Sequence, residues 1–406
     1  MRIGILSAGD RNNYGDILFP IIFQKYFEDI SNIEFVNYGI IEADLEYFGG
    51  FKSRRIFDIV KEEIDIIVVS GGETLSTPWT GILLSYKRKE CINFLLRIIK
   101  KIFGLKGDLF NRNIILNLSK EKKEVFKEYK LPFDIPKNIL KNNIKVIYNS
   151  VGGSTINQLS EEYQKEIQKT LDSADYISVR DEKTKLNLEK LDIKVSIKLY
   201  PDSAMIMADI FKKENLKELV SDYFKINYFS VLDQKEYIVF QIAEHYAKGK
   251  IEKIVEELEK IYKNKKIKIV LLPIGLAAYH SDQVPLKEIY IKLKDKVDII
   301  YIDTKNIYDV MYVLANTSLY IGTSLHGAIT AFSFGRRHVA LTDKVSKLRE
   351  FLKTWSLGDE YVEIENIFSN LDLYLSQDID EIKKKSEIVR NKVKENYEQI
   401  KKVMLG

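Results

Sequence analysis

The sequence predicts an α/β protein built from two Rossmann-like domains, each a doubly wound parallel sheet, followed by a long C-terminal helix. Short β-branched runs recur along the chain, each followed by a cluster of Gly, Asn, Asp or Ser and then a helix-like stretch, which is the pattern of parallel βαβ units. At 406 residues and 47.3 kDa the chain exceeds the size at which one hydrophobic core stops growing, so two domains are expected. The stretch 377–405 has neither Gly nor Pro and repeats apolar residues at Ile379, Ile382, Ile388, Val389, Val393, Tyr397 and Ile400, the spacing of an amphipathic helix.

Taken in order, strands are expected at 2–6, 65–70, 144–150, 176–179 and 194–199 in the first half, and at 237–243, 267–273, 297–302, 318–322 and 338–341 in the second. The Lys-rich stretch 212–236 has no period-two core strand and is read as the junction. The resulting division is a first domain at 1–211 with a basic insertion at 77–143, a second at 237–376, and the terminal helix at 377–406 returning toward the first domain.

Composition narrows the function classes. Hydrophobic residues make up 45% and charged residues 30%, with 20 Gly and 7 Pro, which excludes disordered and collagen-like chains. A net charge of +4 is too small to imply a nucleic-acid partner unless it is concentrated. It is partly concentrated: residues 87–141 hold 15 Lys or Arg against 6 Asp or Glu. Within them Ile92, Leu95, Leu96, Ile99, Ile102 and Phe103 fall at helical spacing opposite Arg97, Lys100 and Lys101. The commoner fate of such a helix is to pack its apolar side on the sheet; the alternative is to lie on an anionic membrane surface. Cys91 stands alone, so no intramolecular disulfide forms and no Cys/His spacing suggests a metal; it reads as a buried apolar residue of a reducing compartment. The first residues run directly into a strand pattern without a secretory signal, and a cytoplasmic location is expected.

Four loops follow strand carboxyl ends, where open α/β sheets hold their ligands. The first, 7–16, contains Asn13, Gly15 and Asp16 and leads into a helix predicted over 17–27, with Asp16 as its N-cap and Pro20 in its first turn. Its glycines serve either a ligand or the turn itself. The second, Ser70-Gly71-Gly72-Glu73, lets backbone approach a ligand and sets a carboxylate where it orients or deprotonates a hydroxyl; the other reading of Glu73 is an exposed helix cap. In the third, Arg180 ends an apolar strand and Asp181 begins the next helix; the Arg fork suits a carboxylate or phosphate, or equally a structural ion pair. Asp202, after another strand, closes a turn, caps a helix or touches substrate.

The fourth loop, Gly322-Thr323-Ser324-Leu325-His326-Gly327, is the most informative. Small residues keep its backbone accessible, a helix starting near Gly327 favours anions, and His326 is its one titratable group. His245, His280 and His338 have no such setting, and His338 begins a buried strand.

In these motifs, from Gly9 to about Leu341, the chain resembles the polysaccharide pyruvyl transferase family: Asn13-Tyr14-Gly15-Asp16, Ser70-Gly71-Gly72, Ile177-Ser178-Val179-Arg180-Asp181, Pro201-Asp202 and Gly322 to Gly327 occur in its order. The resemblance implies a GT-B-like fold with the active site between lobes. It also implies pyruvyl transfer from phosphoenolpyruvate to a sugar, forming a cyclic ketal for cell-surface polysaccharide. Arg180 would then bind the anionic donor and His326 would act as proton donor or phosphate ligand, without a metal or further cofactor. The acceptor would be a sugar that is lipid-linked or nucleotide-linked, met at the inner face of the membrane if the basic helix touches lipid.

One position departs from the family: Arg-Leu-His is usual, and here Ser324 precedes Leu325 and His326. A hydroxyl cannot make the charged, two-pronged contact of a guanidinium. Either Arg336, Arg337 or Lys344 restores the charge, or the donor is another anion such as a nucleotide sugar, making the chain a glycosyltransferase. A non-catalytic sugar-binding protein is the third reading.

Overall fold

The computed structural model describes all residues except 87–89, 119–120, 123–124, 141–143, 234, 278–279 and 358–360. Its first sheet contains β1 (Arg2–Leu6), β2 (Glu34–Gly39), β3 (Ala43–Asp44), β4 (Lys52–Arg55), β5 (Ile66–Ser70), β6 (Lys145–Val151), β7 (Tyr176–Val179) and β8 (Ile197–Leu199). Their order is β3-β4-β2-β1-β5-β6-β7-β8, parallel except for β3 against β4. The second sheet contains β9 (Tyr237–Gln241), β10 (Lys268–Leu271), β11 (Ile299–Tyr301), β12 (Leu319–Gly322), β13 (Arg337–Leu341) and β14 (Tyr361–Val362). It is wholly parallel, in the order β11-β10-β9-β12-β13-β14.

The central strands β5, Ile-Ile-Val-Val-Ser, and β9, Tyr-Ile-Val-Phe-Gln, are buried along their whole length because helices cover both faces of each sheet. Such unbroken apolar runs are what made these strands readable. Strands β2 to β4 were not: Glu34, Asn37 and the Lys-Ser-Arg-Arg of β4 interrupt any apolar run near that sheet edge. Edge strand β14 was missed for its length of two residues.

The first helix spans Tyr14–Tyr26, starting earlier than the sequence suggested. Asp16 is therefore not the N-cap but a first-turn residue, and Asn13 holds the cap position while spending its amide on Asp16 Oδ2 at 2.6 Å. Pro20 likewise falls inside the helix rather than in its first turn, where its missing N–H leaves the Asp16 carbonyl without its helical donor.

In the insertion, helix Glu90–Leu118 turns back on itself at Gly104, whose φ of 55° lies in the left-handed region. The two arms touch at Gly107, where an added methyl would meet the Ile99 carbonyl at 2.3 Å. Buried Asp108 fixes the start of the preceding helix, Trp79–Tyr86, by accepting from the backbone N–H of Trp79 and Thr80. The expected packing of the apolar side is only partial: Leu96 joins the core on the first sheet and Ile99 is half-buried, Leu95, Ile102 and Phe103 face solvent, and the Ile92 side chain lies outside the described residues. The Cys91 side chain lies outside the described residues.

The C-terminal helix, Ile379–Leu405, is capped by Asp378 and buries Val389, Val393, Tyr397, Ile400 and Met404, while Ile388 stays exposed. It ties the two sheets together. Asn396 donates to Asn149 Oδ1 at 2.8 Å on the first sheet, and Arg390 donates to the Ser333 carbonyl at 2.9 Å beside the second.

Candidate active site

The carboxyl ends of the two sheets face one another across a cleft of about 440 Å³. Backbone bridging between Asn13 and Gly275 joins the lobes at one side of it, and Tyr14 reaches across to Thr330 Oγ1 at 2.9 Å. At the opposite side Trp355 Nε1 donates to the Arg180 carbonyl at 2.8 Å, and Thr354 Oγ1 accepts from the Glu182 N–H. This second clasp docks helix Ser346–Thr354 on the first lobe and carries Lys347 to the cleft wall.

Arg180 and His326 do converge, but on a carboxylate of the protein. Asp202 Oδ2 lies 3.0 Å from Arg180 Nη1 and 3.7 Å from His326 Nε2. Arg180 gives its other terminal nitrogen to Glu73 Oε2 at 2.8 Å, and its Nε lies 4.0 Å from Asp181 Oδ2. At 2% exposure the guanidinium makes the structural ion pair of the two sequence readings, and Arg180 and Glu73 also line the cleft. Gly152 is the residue that makes room: a methyl there would meet Glu73 Oε2 at 2.5 Å and Arg180 Nε at 2.9 Å.

Asp202, expected as a substrate contact, is fully buried and outside the cleft. It caps the turn at Ser203–Ile206 through the Ala204 N–H. Burial pushes its carboxyl up, but His326, Arg180 and Ala204 outweigh that and hold it below the usual carboxylate range. Glu73 is not a helix cap, since no helix starts there; its Oε1 accepts from Ser154 N–H and Oγ and from Ser76. Asp181 does begin the next helix, accepting from the Thr184 N–H at 2.7 Å.

The glycines of the motifs serve close packing more than ligand approach. A methyl on Gly15 would sit 1.9 Å from His326 Nδ1, so the imidazole lies directly on that backbone, with the Phe19 ring edge-on at 5.2 Å. Methyls on Gly322 and Gly327 would meet the Tyr320 hydroxyl at 2.2 and 2.3 Å. Gly71, at φ 64°, packs on Phe19, and Gly15, Gly71, Gly322 and Gly327 all lie off the cleft wall. Asn13, Asp16, Gly72, Thr323, Ser324 and Leu325 do line it.

Helix Leu325–Ser333 opens at the cleft with Ser324 as N-cap, its Oγ accepting from the Gly327 N–H at 3.2 Å. Ser324 therefore supplies a cap and no charge. None of the three cations expected to replace the missing Arg lines the cleft: Arg336 donates to the Ala315 carbonyl, Arg337 donates to the Gln377 carbonyl, and Lys344 is exposed. Arg11, Arg180 and Lys347 line the cleft, and Lys347 has no hydrogen-bond or ion-pair partner among the described residues. Burial pushes its ammonium down.

His245 and His280, set aside in the sequence, both line the cleft. Burial drives the His280 imidazole down to about 3, so it is neutral. Gln241 at the end of β9 accepts from the Thr323 and Ser324 N–H groups, each at 2.9 Å, and donates to Asp282 Oδ2 at 2.7 Å. Asp282 also accepts from the Ile274 and Gly275 N–H groups, its Oδ1 is unpartnered, and burial pushes its carboxyl up to about 6. Lys347, Gln241 and Asp282 carried no local signal. Asp282 starts an ordinary helix and Lys347 sits in one, and only the clasp between lobes brings them to the cleft. His338, as expected, is in a buried strand, driven down to about 4.

Residues 13–344 match the polysaccharide pyruvyl transferase family. The chain belongs to that family. The matched span holds most of the cleft lining, including Asn13, Arg180 and His326, while Ala8, Arg11, Val345 and Lys347 lie outside it. No curated protein matches the sequence. Among solved structures, the UDP-GlcNAc 2-epimerase of Neisseria meningitidis bound to UDP-GlcNAc is similar with a TM-score of 0.57 and 12% identity over 99% of this chain and 100% of that chain. The Methanocaldococcus jannaschii UDP-GlcNAc 2-epimerase, in complex with UDP-GlcNAc and UDP, gives 0.55 and 15% over 96% and 99%. Anabaena HepE in complex with UDP-glucose gives 0.50 and 11% over 100% and 99%. At these identities the likeness is one of fold, and the fold of this pyruvyl transferase family member is GT-B-like, α/β with two Rossmann-like sheets.

Proposed function

We propose that the protein transfers a pyruvyl group from phosphoenolpyruvate to two hydroxyls of a sugar, releasing phosphate and forming a cyclic ketal. The observation that carries this reading is the pairing, in one cleft, of an unpartnered cation, Lys347, with an imidazole, His326, seated beside the buried Asp202 carboxylate. Family membership supports the reaction class.

In this scheme Lys347 and the N–H groups opening helix Leu325–Ser333 hold the donor's carboxylate and phosphate, which fixed positive groups in a partly dry cleft do well. His326, beside Asp202, delivers the proton to the methylene carbon of the enol. The carbon bearing phosphate becomes electrophilic, and the first sugar hydroxyl adds there. Asp16, in the cleft and steadied by Asn13, takes that hydroxyl's proton. The second hydroxyl then attacks the same carbon and passes its proton to His326, which had given its own to the methylene carbon; phosphate leaves with the C–O electron pair, and the ketal closes. Arg180, itself on the cleft wall and paired with Glu73, holds Asp202 in place.

Ser324 favours a second reading, glycosyl transfer from a nucleotide-activated sugar, since it contributes no charge where the family has Arg. The fold likeness to proteins that bind UDP-GlcNAc and UDP-glucose fits that scaffold use. Thermal melting with a donor panel separates the two. Stabilisation by phosphoenolpyruvate, with phosphate released when a sugar diol is added, supports pyruvyl transfer; stabilisation by UDP or UMP but not phosphoenolpyruvate overturns it.

A further inference from the structure

We propose that the helical corner around Gly104 is a membrane-docking surface that inserts apolar side chains among anionic lipids. Phe94, Leu95, Ile102, Phe103 and Phe110 lie on the two arms that meet there, and each is 55–66% exposed. A chain normally buries such residues, and here five large ones are exposed on one helical hairpin, within seventeen residues of sequence.

The charge around them selects the occupant. Arg97, Lys101 and Lys106 are exposed on the same arms, whereas the single acid between Phe94 and Phe110, Asp108, is fully buried. Lys100 is held inward over the Tyr163 ring at 5.6 Å. Among the described residues 94–110 the arms thus show apolar groups and positive charge with no exposed carboxylate, which matches an anionic headgroup layer over hydrocarbon. No helix among the described residues is long and apolar enough to cross a membrane, so the contact is interfacial.

Position adds a second argument. Arg97, on the first arm, lines the outer rim of the cleft together with Arg11, Asn13 and His280. A corner seated in the headgroups therefore brings the cleft entrance close to the lipid surface, where a lipid-borne substrate would be presented. The docking surface does not depend on which donor the cleft takes.

Co-sedimentation with vesicles tests it. The protein is expected to pellet with phosphatidylcholine vesicles containing phosphatidylglycerol, less as salt rises, and weakly with phosphatidylcholine alone. The triple variant Leu95→Ser, Ile102→Ser, Phe103→Ser should lose this binding at an unchanged melting temperature. Lys101→Glu with Lys106→Glu should weaken it by about tenfold or more. Protein remaining in the supernatant with anionic vesicles overturns the proposal, as does wild-type binding by either variant. Light scattering that shows the serine variant converting a dimer to monomer, with vesicle binding unaffected, assigns the face to a second copy and also overturns it. Should the triple variant fail to fold, the charge-reversal pair decides alone.

Discussion

His326 Nε2 stands 3.7 Å from Asp202 Oδ2, an imidazole of the second lobe facing a fully buried carboxylate of the first. The arrangement depends on closure of the two lobes, because neither element alone supplies both groups. Asp202 also receives Arg180, so one carboxylate joins the charge network of the first lobe to the titratable group of the second.

Asp202→Asn keeps the size of the side chain and its cap on the Ala204 N–H but removes the negative charge that faces the His326 ring. Turnover should fall by about 100-fold or more, the range of a lost general acid. The variant should also melt earlier, because Arg180 keeps Glu73 but loses a buried partner, a change costing on the order of 3 kcal/mol. Steady-state kinetics and thermal melting measure both, and turnover at the wild-type level would remove Asp202 from the mechanism.

Gly15→Ala places a methyl 1.9 Å from His326 Nδ1, closer than any van der Waals contact allows. The imidazole must move off Asp202, and a shift of about 1 Å is enough to cost roughly 100-fold in rate. Donor affinity should be largely kept, since Lys347 is untouched. A binding titration beside the rate measurement checks this split, and an unimpaired rate would show that the ring has room to relocate.

Lys347→Met removes the unpartnered ammonium from the cleft wall while filling similar space. If Lys347 holds a donor anion, the donor dissociation constant should rise by about 10-fold to 100-fold, the worth of a charged hydrogen bond, and Lys347→Arg should recover part of it. Isothermal titration with phosphoenolpyruvate gives the numbers. Equal affinity in wild type and Lys347→Met would reassign the lysine to packing.

Asp282 should leave a signature in the pH dependence of stability. Its carboxyl titrates near 6 in the fold, against 3.8 as its ordinary value. Between those limits the folded chain holds a proton that the unfolded chain has released, so this group stabilises the fold as pH falls through the window and costs stability as pH rises to 6. The contribution is on the order of 2–3 kcal/mol. Asp282→Asn retains an oxygen for the Ile274 and Gly275 N–H groups and should flatten the stability curve between about pH 4 and 6 in chemical denaturation. A curve with the wild-type slope would mean another group titrates there.

Much of the architecture was legible along the chain because its causes are local. Unbroken apolar runs such as Ile66–Ser70 and Tyr237–Gln241 mark strands covered on both faces, and the spacing of Val389, Val393, Tyr397 and Ile400 marks one buried helix face. Asp181 was legible as a cap, and Asn13, Asp16, Ser324 and His326 as residues of the loops that border the cleft. The strands between Glu34 and Arg55 escaped notice because partial burial near a sheet edge permits polar residues that break the pattern.

What each loop residue touches belonged to the tertiary structure alone. From sequence, Arg180 was equally an anion clamp or an ion pair; the structure brings Asp202 and Glu73 to it from separate loops as ion-pair partners and sets it on the cleft wall. Gly15 reads as a turn or ligand glycine until the His326 ring is laid against it from the other lobe. Lys347, Asp282 and His280 reach the cleft only when the clasps at Trp355 and at Asn13 close the lobes. Periodicity and caps arise from neighbours a few residues apart, so the order of amino acids suffices to reveal them. Charge pairing and cleft lining arise from groups that meet only after two separate sheets have packed together.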